Sequence, residues 1–251
     1  MSPIEKAKRF AALHVKGKPV ILYNAWDAGS AKAIFEAGAK AIATSSWAVA
    51  EAHGYRDGET IPMSFIEPLI AQITRTIDVP VTVDFEGGYS ENDSVLAENI
   101  SRLLDLGVIG INFEDRVVQG KGLYPGERQA RRIAAIREAA ERKRIDLFIN
   151  ARTDLFFQDG DPAQWVEDAL ARAKAYAASG ASGLFVPGLC DDALIRKICD
   201  GSPLPVNVMV MEGVSPTHRL AELGVARVSY GNIPYVDAIG ALKQRAKEAL
   251  A

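Results

Sequence analysis

Four acids stand at the ends of two short apolar runs. Asp84 and Glu86 close the run Pro80-Val-Thr-Val-Asp84, and Glu114 and Asp115 close Gly110-Ile-Asn-Phe113. A third run ends Asn150-Ala-Arg152-Thr-Asp154, which sets a guanidinium among them. Carboxylates at neighbouring chain ends repel one another, and a divalent cation relieves that repulsion. Oxygen donors with no His or Cys beside them favour Mg2+, with Mn2+ as the alternative. Singly, each of these acids could cap a helix or pair with Arg116 or Arg128. Together, Asp84, Glu86 and Glu114 read as a metal site, and Asp115 as a structural partner.

Arg152 can grip a carboxylate through two parallel N–H donors, or it can pair with Asp154 or Glu114. Ser45-Ser46-Trp47 follows another apolar run, where backbone N–H groups face an anion or a serine caps the next helix. Tyr23 and Asn207 lie at or in two further runs and join the candidates for substrate contact. Gly87-Gly88 permits close backbone approach, or is a turn. Of the histidines, His14 is expected on the surface and His218 on a helix. His53 is a weaker site candidate because it precedes Gly54-Tyr55-Arg56-Asp57. Cys190 and Cys199 read as inert thiols around the sixth helix.

Eight short apolar runs position these residues: Pro19–Tyr23, Ala41–Thr44, Pro80–Asp84, Gly110–Phe113, Asp146–Ala151, Gly183–Val186, Pro205–Val210 and Ala226–Tyr230. Nearly all-apolar runs suit parallel strands covered on both faces. Helical patterns separate them: Ser30–Ala37, Phe65–Ile77, Asn92–Leu106, Glu127–Arg142, Asp161–Gly180, Asp191–Cys199, Pro216–Leu223 and Tyr235–Leu250. Asp161-Pro162 supplies an N-cap and a first-turn proline. The phrases Glu36-Ala-Gly-Ala, Asp105-Leu-Gly-Val, Ala178-Ser-Gly-Ala and Glu222-Leu-Gly-Val place a C-capping glycine just before a strand. An amphipathic helix over Met1–Val15 precedes the first strand. Eight βα units in 251 residues predict an α/β fold, a (β/α)8 TIM barrel, with residues 1–251 as one domain. A doubly wound open sheet fits less well, because no G-x-G-x-x-G follows the first strand.

Composition narrows the function classes. Hydrophobic residues make up 48% and charged residues 24%, which excludes collagenous and wholly disordered chains. A net charge of −3 leaves no basic footprint for nucleic acid. Two cysteines cannot build a disulfide-dense scaffold, and their spacing offers no zinc pair. No targeting segment stands out, and no apolar run approaches the roughly 20 residues of a membrane span. A cytoplasmic protein with no nucleic-acid or membrane partner is the expectation.

The motifs resemble those of the isocitrate lyase / phosphoenolpyruvate mutase superfamily along nearly the whole chain. Asp84-Phe-Glu-Gly-Gly-Tyr89 is similar to its Asp-x-Asp-x-Gly-Tyr metal motif, with Glu86 in place of the second Asp. Phe113-Glu-Asp115, Ala151-Arg-Thr-Asp154 and Gly54-Tyr-Arg-Asp57 match three further motifs, and Ser45-Ser46-Trp47 falls at its anion loop. The resemblance implies a Mg2+-bound 2-oxo acid or dicarboxylate. Asp84 would be the main ligand, with Glu86 and Glu114 acting directly or through water and Asp57 supporting them. Arg152, Ser45, Ser46 and Trp47 would bind the carboxylate. It also implies a homotetramer in which the C-terminal helix is exchanged between subunits, consistent with an apolar stripe of Val236, Ile239, Leu242, Ala246 and Leu250.

One loop departs from the family. Isocitrate and methylisocitrate lyases carry Lys-Lys-Cys-Gly-His after the Glu-Asp pair, with Cys as acid/base. Here the loop reads Arg116-Val-Val-Gln-Gly-Lys121-Gly-Leu-Tyr124, without Cys or His. Of the Lys-Thr-Asn-Ser loop found in phosphonate-handling members, only Lys121 can be placed. The expected reaction is therefore Mg2+-dependent cleavage of a C–C bond in a small 2-oxo acid through an enolate, as in oxaloacetate decarboxylation, with Lys121 and Asp57 as catalytic candidates. The alternatives are a 2-oxo-acid binding protein that has lost the loop chemistry, and an enzyme of the P–C bond of phosphonopyruvate. A loop closing Lys121 or Tyr124 over the metal would favour catalysis, and an exposed, disordered loop would favour binding.

Overall fold

A computed structural model describes residues 1–251. Nine strands form one parallel sheet: β1 (Val20–Leu22), β2 (Asn24–Ala25), β3 (Ile42–Thr44), β4 (Val81–Asp84), β5 (Gly110–Glu114), β6 (Phe148–Arg152), β7 (Gly183–Phe185), β8 (Val206–Met209) and β9 (Arg227–Ser229). From β2 to β9 each strand pairs with the next, and β1 pairs with β9, Leu22 lying opposite Ser229. Tyr23 alone separates β1 from β2, so the two are one interrupted strand and the sheet closes into a barrel. All eight expected runs are strands; the ninth exists because the first breaks at Tyr23.

The helices are α1 (Pro3–Ala12), α2 (Ala28–Glu36), α3 (Ser46–Ala52), α4 (Met63–Thr76), α5 (Asp93–Asp105), α6 (Gly126–Arg142), α7 (Val166–Ala178), α8 (Asp192–Gly201), α9 (Thr217–Glu222) and α10 (Ile233–Leu250). Their starts follow local chemistry. Asn92 accepts from the N–H groups of Ser94 and Val95, and Asp191 accepts from that of Leu194, satisfying donors that a helix start leaves unpaired. Asp161-Pro162 opens a short 3-10 turn ahead of α7. The sequence patterns missed α3, whose seven residues are too few to show a period; Ser45 caps it by accepting from the Ala48 N–H.

Inward and outward residues divide the labour along each strand. On β5, Ile111 and Phe113 join the apolar layer between sheet and helices, together with Ile133 and Ile136 of α6, while Asn112 joins the barrel's polar interior. Beneath the barrel, Phe10 of α1 packs edge-on to Phe148, with ring centroids 5.3 Å apart. Gly110 makes room for it, since a Cβ there would sit 2.9 Å from the Phe10 ring. His14 also belongs to this plug, not to the surface as expected. Its ring stacks on Phe148 at 3.9 Å and its Nδ1–H donates to the Phe10 carbonyl at 2.9 Å. Burial, reinforced by the charge of Arg227, pulls its pKa down to about 3.

The outer layer is incomplete. After β9 the chain enters α10, which leaves the barrel with Val236, Ile239, Leu242 and Leu250 exposed. The outer face of β1 is correspondingly bare: Ile21 and Tyr23 face an open, mainly apolar groove of 890 Å³ between the end of α1 and α2. No helix is long and apolar enough to cross a membrane.

Candidate active site

The carboxyl ends of the strands enclose a cavity of 230 Å³. Ser45, Ser46 and Trp47 line it from the top of β3, Asp84 from β4, Asn112 from β5 and Arg152 from β6. Asp57, Met209 and Ser229 complete the rim and floor. The sequence candidates Ser45, Ser46, Trp47, Asp57, Asp84 and Arg152 therefore meet in one place. Such a mouth is where barrel enzymes carry their chemistry.

Asp84 sits at the centre. Its Oδ2 accepts from the Ser46 hydroxyl at 2.8 Å and the Ser46 N–H at 3.2 Å. Its Oδ1 is buried with no partner. Ser46 thus orients the acid instead of offering its N–H to a ligand, which differs from the anion-loop expectation. An orphaned buried carboxylate oxygen is costly unless something positive faces it.

Glu86 and Glu114 stand close by but turn elsewhere. After β4 the chain passes through positive φ at Glu86 (48°) and Tyr89 (60°), a backbone region that side chains other than glycine rarely adopt. The tight turn directs Glu86 away from the cavity. Its Oε2 accepts from the Glu59 N–H at 2.9 Å and its Oε1 from the Tyr89 hydroxyl at 3.3 Å. Burial, with the charges of Asp57 and Asp84, pushes its pKa up to about 9. Glu114 is held by Arg152 at 2.9 Å, and burial pushes its pKa upward against that pull. No three acidic, His or Cys side chains converge to hold one ion by themselves. Of the two arrangements expected for Glu86 and Glu114, direct or through water, their bonds to Glu59, Tyr89 and Arg152 favour the one through water. The residues still fit Mg2+ in its usual mode, one carboxylate plus retained waters. Asp84 Oδ1 is free for it, and Glu86 and Glu114 lie near enough for the charge of Asp84 to push both their pKa values upward.

Arg152 makes the ion pairs that one of its two sequence readings expects. Its Nε and Nη2 form a fork with Asp154 at 2.6 and 2.9 Å, and Nη1 takes Glu114. Burial opposes the guanidinium charge, but Glu114 and Asp154 outweigh it and raise its pKa. One N–H on each terminal nitrogen remains, and the side chain lines the cavity. Asp115 is the structural partner expected, accepting from Arg172 and Tyr176, both at 3.0 Å.

Three further candidates, besides Glu86 and Glu114, lie outside the cavity lining. Tyr23 points outward into the groove on β1, 5.1 Å from Tyr230, because alternation along the strand puts its neighbours Leu22 and Asn24 inside. Asn207 is fully buried below the cavity floor, where it accepts from Asn150 and Ser229. Lys121 is exposed on a loop that folds back as a hairpin through the Arg116–Leu123 bridge. Tyr124 turns over Arg132, at 4.5 Å, and not over Asp84. The loop is thus ordered and open. His53 caps its own helix, its Nδ1 bonding the Val49 carbonyl. Cys199 is buried, with its pKa raised by that burial to about 12, as an inert thiol requires.

Sequence reading missed Glu59 and Arg227, and it placed Asn112 and Asn150 at strand ends without giving them a role. The signal was present: Gly110-Ile-Asn, Phe148-Ile-Asn and Val206-Asn each place an Asn mid-strand in an otherwise apolar run, and Asn112 and Asn150 pair in register.

A closed parallel barrel with acids at the carboxyl ends of its strands is a common enzyme architecture, and the chain's relatives narrow it to a class, the lyases and mutases related to phosphoenolpyruvate mutase. Within it, the chain belongs to the phosphoenolpyruvate phosphomutase family, matching it over residues 10–250. It is similar to 2-methylisocitrate lyase of Escherichia coli, 27% identical over 93% of this chain and 80% of that protein. Among solved structures, a proposed phosphonomutase of Burkholderia cenocepacia J2315 is 45% identical, with a TM-score of 0.96 over 99% of this chain and 100% of that one. A phosphonopyruvate hydrolase complexed with oxalate and Mg2+ shares the fold, with a TM-score of 0.83 at 21% identity over 95% of this chain and 84% of that one.

Proposed function

We propose that the protein is a Mg2+-dependent lyase that cleaves a C–C bond of a small 2-oxo acid, with oxaloacetate decarboxylation as the simplest case. The observation that carries this reading is the make-up of the cavity. It joins Asp84, with one oxygen unpartnered, to Arg152 with free N–H donors, and it contains no Cys, His or Lys. Aldol-type cleavage needs a group to hand a proton across the breaking bond, whereas loss of CO2 does not. Mg2+ held at Asp84, with Glu86 and Glu114 acting through water, would supply Lewis-acid stabilisation of the charge that develops on the oxo oxygen.

The chain's own residues supply the rest. Ser46 fixes Asp84 through two hydrogen bonds. Arg152, clamped by Glu114 and Asp154, presents its remaining N–H groups to the substrate carboxylate without having to reorganise. Trp47 and Phe157 wall the cavity and limit water. Asp57 keeps its proton more readily than an ordinary aspartate, through burial and the neighbouring charge of Asp84; it donates that proton to the enolate carbon and is reprotonated from water. Lys121 lies too far out on its hairpin to serve in the open form; a catalytic role for it requires the loop to close.

A second reading, cleavage of the P–C bond of a phosphonate, is favoured by the 45% identity to the Burkholderia chain. The cavity weighs against it, since Arg152 is the one cation in its lining and a phosphonate brings more charge than a carboxylate. A Mg2+-dependent turnover screen over oxaloacetate, methylisocitrate and phosphonopyruvate tests the choice. Oxaloacetate is expected to be consumed. Robust methylisocitrate cleavage would show that another residue replaces the missing thiol, and phosphonopyruvate turnover alone would establish the second reading.

The same reading includes a homo-oligomer, a tetramer with exchanged C-terminal helices. Seven of the eight strand units are followed by a helix packed on the barrel, whereas α10 projects with its apolar stripe bare. The uncovered groove over β1 supplies an apolar surface of matching character. The expected compartment is the cytoplasm.

A further inference from the structure

The interior of the barrel carries a polar network that none of the site residues named so far explains. Asn112 lies 5% exposed on β5, between the cavity and the layer below. Its Oδ1 accepts from Asn150 Nδ2 at 2.9 Å and from Arg227 Nη2 at 3.0 Å. The same Asn150 nitrogen donates to Asn207 Oδ1 at 3.0 Å, and the Asn207 nitrogen donates to backbone carbonyls of Val208 and Arg227. Every amide orientation in this chain is therefore fixed by its neighbours. With two donors aimed at it, the oxygen of Asn112 must face the floor, so its Nδ2 faces the cavity. No protein acceptor meets that nitrogen.

Arg227 anchors the arrangement. It is 1% exposed and has no carboxylate partner, only Asn112 and, at 3.4 Å, the Ser229 hydroxyl. Its Nη1 is buried and unpartnered. A buried cation with no carboxylate bonded to it is expensive; the charge of Asp84 offsets part of that cost, and an anion entering the cavity above offsets more. A donor without an acceptor and a cation without a bonded carboxylate thus lie under the same cavity.

We propose that Asn112 binds the substrate, its amide nitrogen held toward the cavity by Arg227 and Asn150 so that it donates to an oxygen of the bound oxo-acid anion. Arg227 is the positioning residue: it keeps the amide from flipping and adds positive potential under the anion. This inference rests on the oxo-acid reading of the cavity and adds to it a second protein donor, after Arg152. It also accounts for a fully buried arginine that no carboxylate bonds.

The test uses oxalate, a small dianion of the same oxygen geometry, titrated calorimetrically into the full-length protein with Mg2+ present. Asn112→Asp keeps an oxygen for Asn150 and Arg227, gives Arg227 a carboxylate partner, and replaces the donor facing the cavity with an acceptor. Its melting temperature is expected to match or exceed that of the wild type, while oxalate affinity falls at least about tenfold, as loss of a hydrogen bond to a charged group implies. Mg2+ titrated alone should bind at least as tightly as before. A second pair of variants keeps the test open should that one not fold. Arg227→Lys, which retains charge and a donor for Asn112, should stay near the wild type in oxalate affinity, whereas Arg227→Met should lose it. Unchanged oxalate affinity in Asn112→Asp, or the same affinity in Arg227→Lys and Arg227→Met, would overturn the inference while leaving the oxo-acid reading intact. A wild-type protein that binds no oxalate with Mg2+ present would overturn that reading and this inference with it.

Discussion

Arg152→Lys separates what the guanidinium does for the fold from what it does for the ligand. Arg152 is 18% exposed and its partners Glu114 and Asp154 are 5% and 4% exposed, so these bonds are shielded from water. Three charge-assisted contacts of 2.6 to 2.9 Å hold it. An ammonium is a point charge and cannot span both carboxylates as the planar fork does. It keeps one partner and leaves the other with a weakened contact. Each lost charge-assisted bond is worth about 1.5–3 kcal/mol, part of which is regained as the charge stays and water enters. A net loss of about 2–4 kcal/mol, at about 2–4 °C per kcal/mol for a chain of this size, lowers the melting temperature by about 5–15 °C. The substrate carboxylate loses its paired donors at the same time, and oxalate affinity is expected to fall at least about tenfold. Asp154→Asn is the control: it breaks the same fork but leaves the guanidinium in the cavity, so stability should fall with much less loss of affinity. Scanning calorimetry and oxalate titration on the two variants give the answer. A stability loss with unchanged affinity in Arg152→Lys would remove Arg152 from the substrate site, and an unchanged melting temperature would refute the clamp.

Two further predictions concern the ends of the molecule. His14 is neutral in the fold, with a pKa of about 3 against about 6.5 unfolded, so the unfolded chain binds the extra proton as pH falls through that window. Stability is therefore fully present above about pH 6.5 and lost by up to about 1.4 kcal/mol per pH unit below it. Denaturant titrations at pH 7 and pH 4.5 should show a smaller difference for His14→Phe than for the wild type; equal differences would contradict the buried neutral ring. Leu242, 63% exposed on α10, is expected to sit in a subunit interface. Leu242→Asp should shift the protein toward monomers in light scattering, and a wild-type monomer at micromolar concentration would refute the oligomer.

The barrel was legible because its signals are local. Apolar runs long enough to be strands, separated by helices with capping Asn92, Asp161 and Asp191 and closing glycines, leave few other architectures. The acids and Arg152 were legible for a related reason: strand ends in a parallel barrel share one face, so Asp84, Glu114 and Arg152 had to be neighbours. Which way each side chain turns was not legible. Glu86 is carried away by a positive-φ turn, which has no periodic signature, and Tyr23 takes the outward phase of a run too uniformly apolar to show which phase faces in. His14 looked like surface because it ends an amphipathic helix, but the helix lies under the barrel and carries the ring inward. The network of Asn112, Asn150, Asn207 and Arg227 depends on contacts between residues up to 115 positions apart, as between Arg227 and Asn112, which no local pattern encodes.

The central claim is that Asp84 anchors a Mg2+-dependent oxo-acid lyase, and one assay bears on it directly. Oxaloacetate decarboxylation to pyruvate is followed for the wild type with Mg2+, the wild type with chelator, and Asp84→Ala with Mg2+. The account predicts turnover well above the metal-only background in the first sample and none above background in the other two, with Asp84→Ala folded as judged by its melting curve. Turnover that survives the chelator or the loss of Asp84, or a wild-type rate no greater than that of free Mg2+, would contradict it.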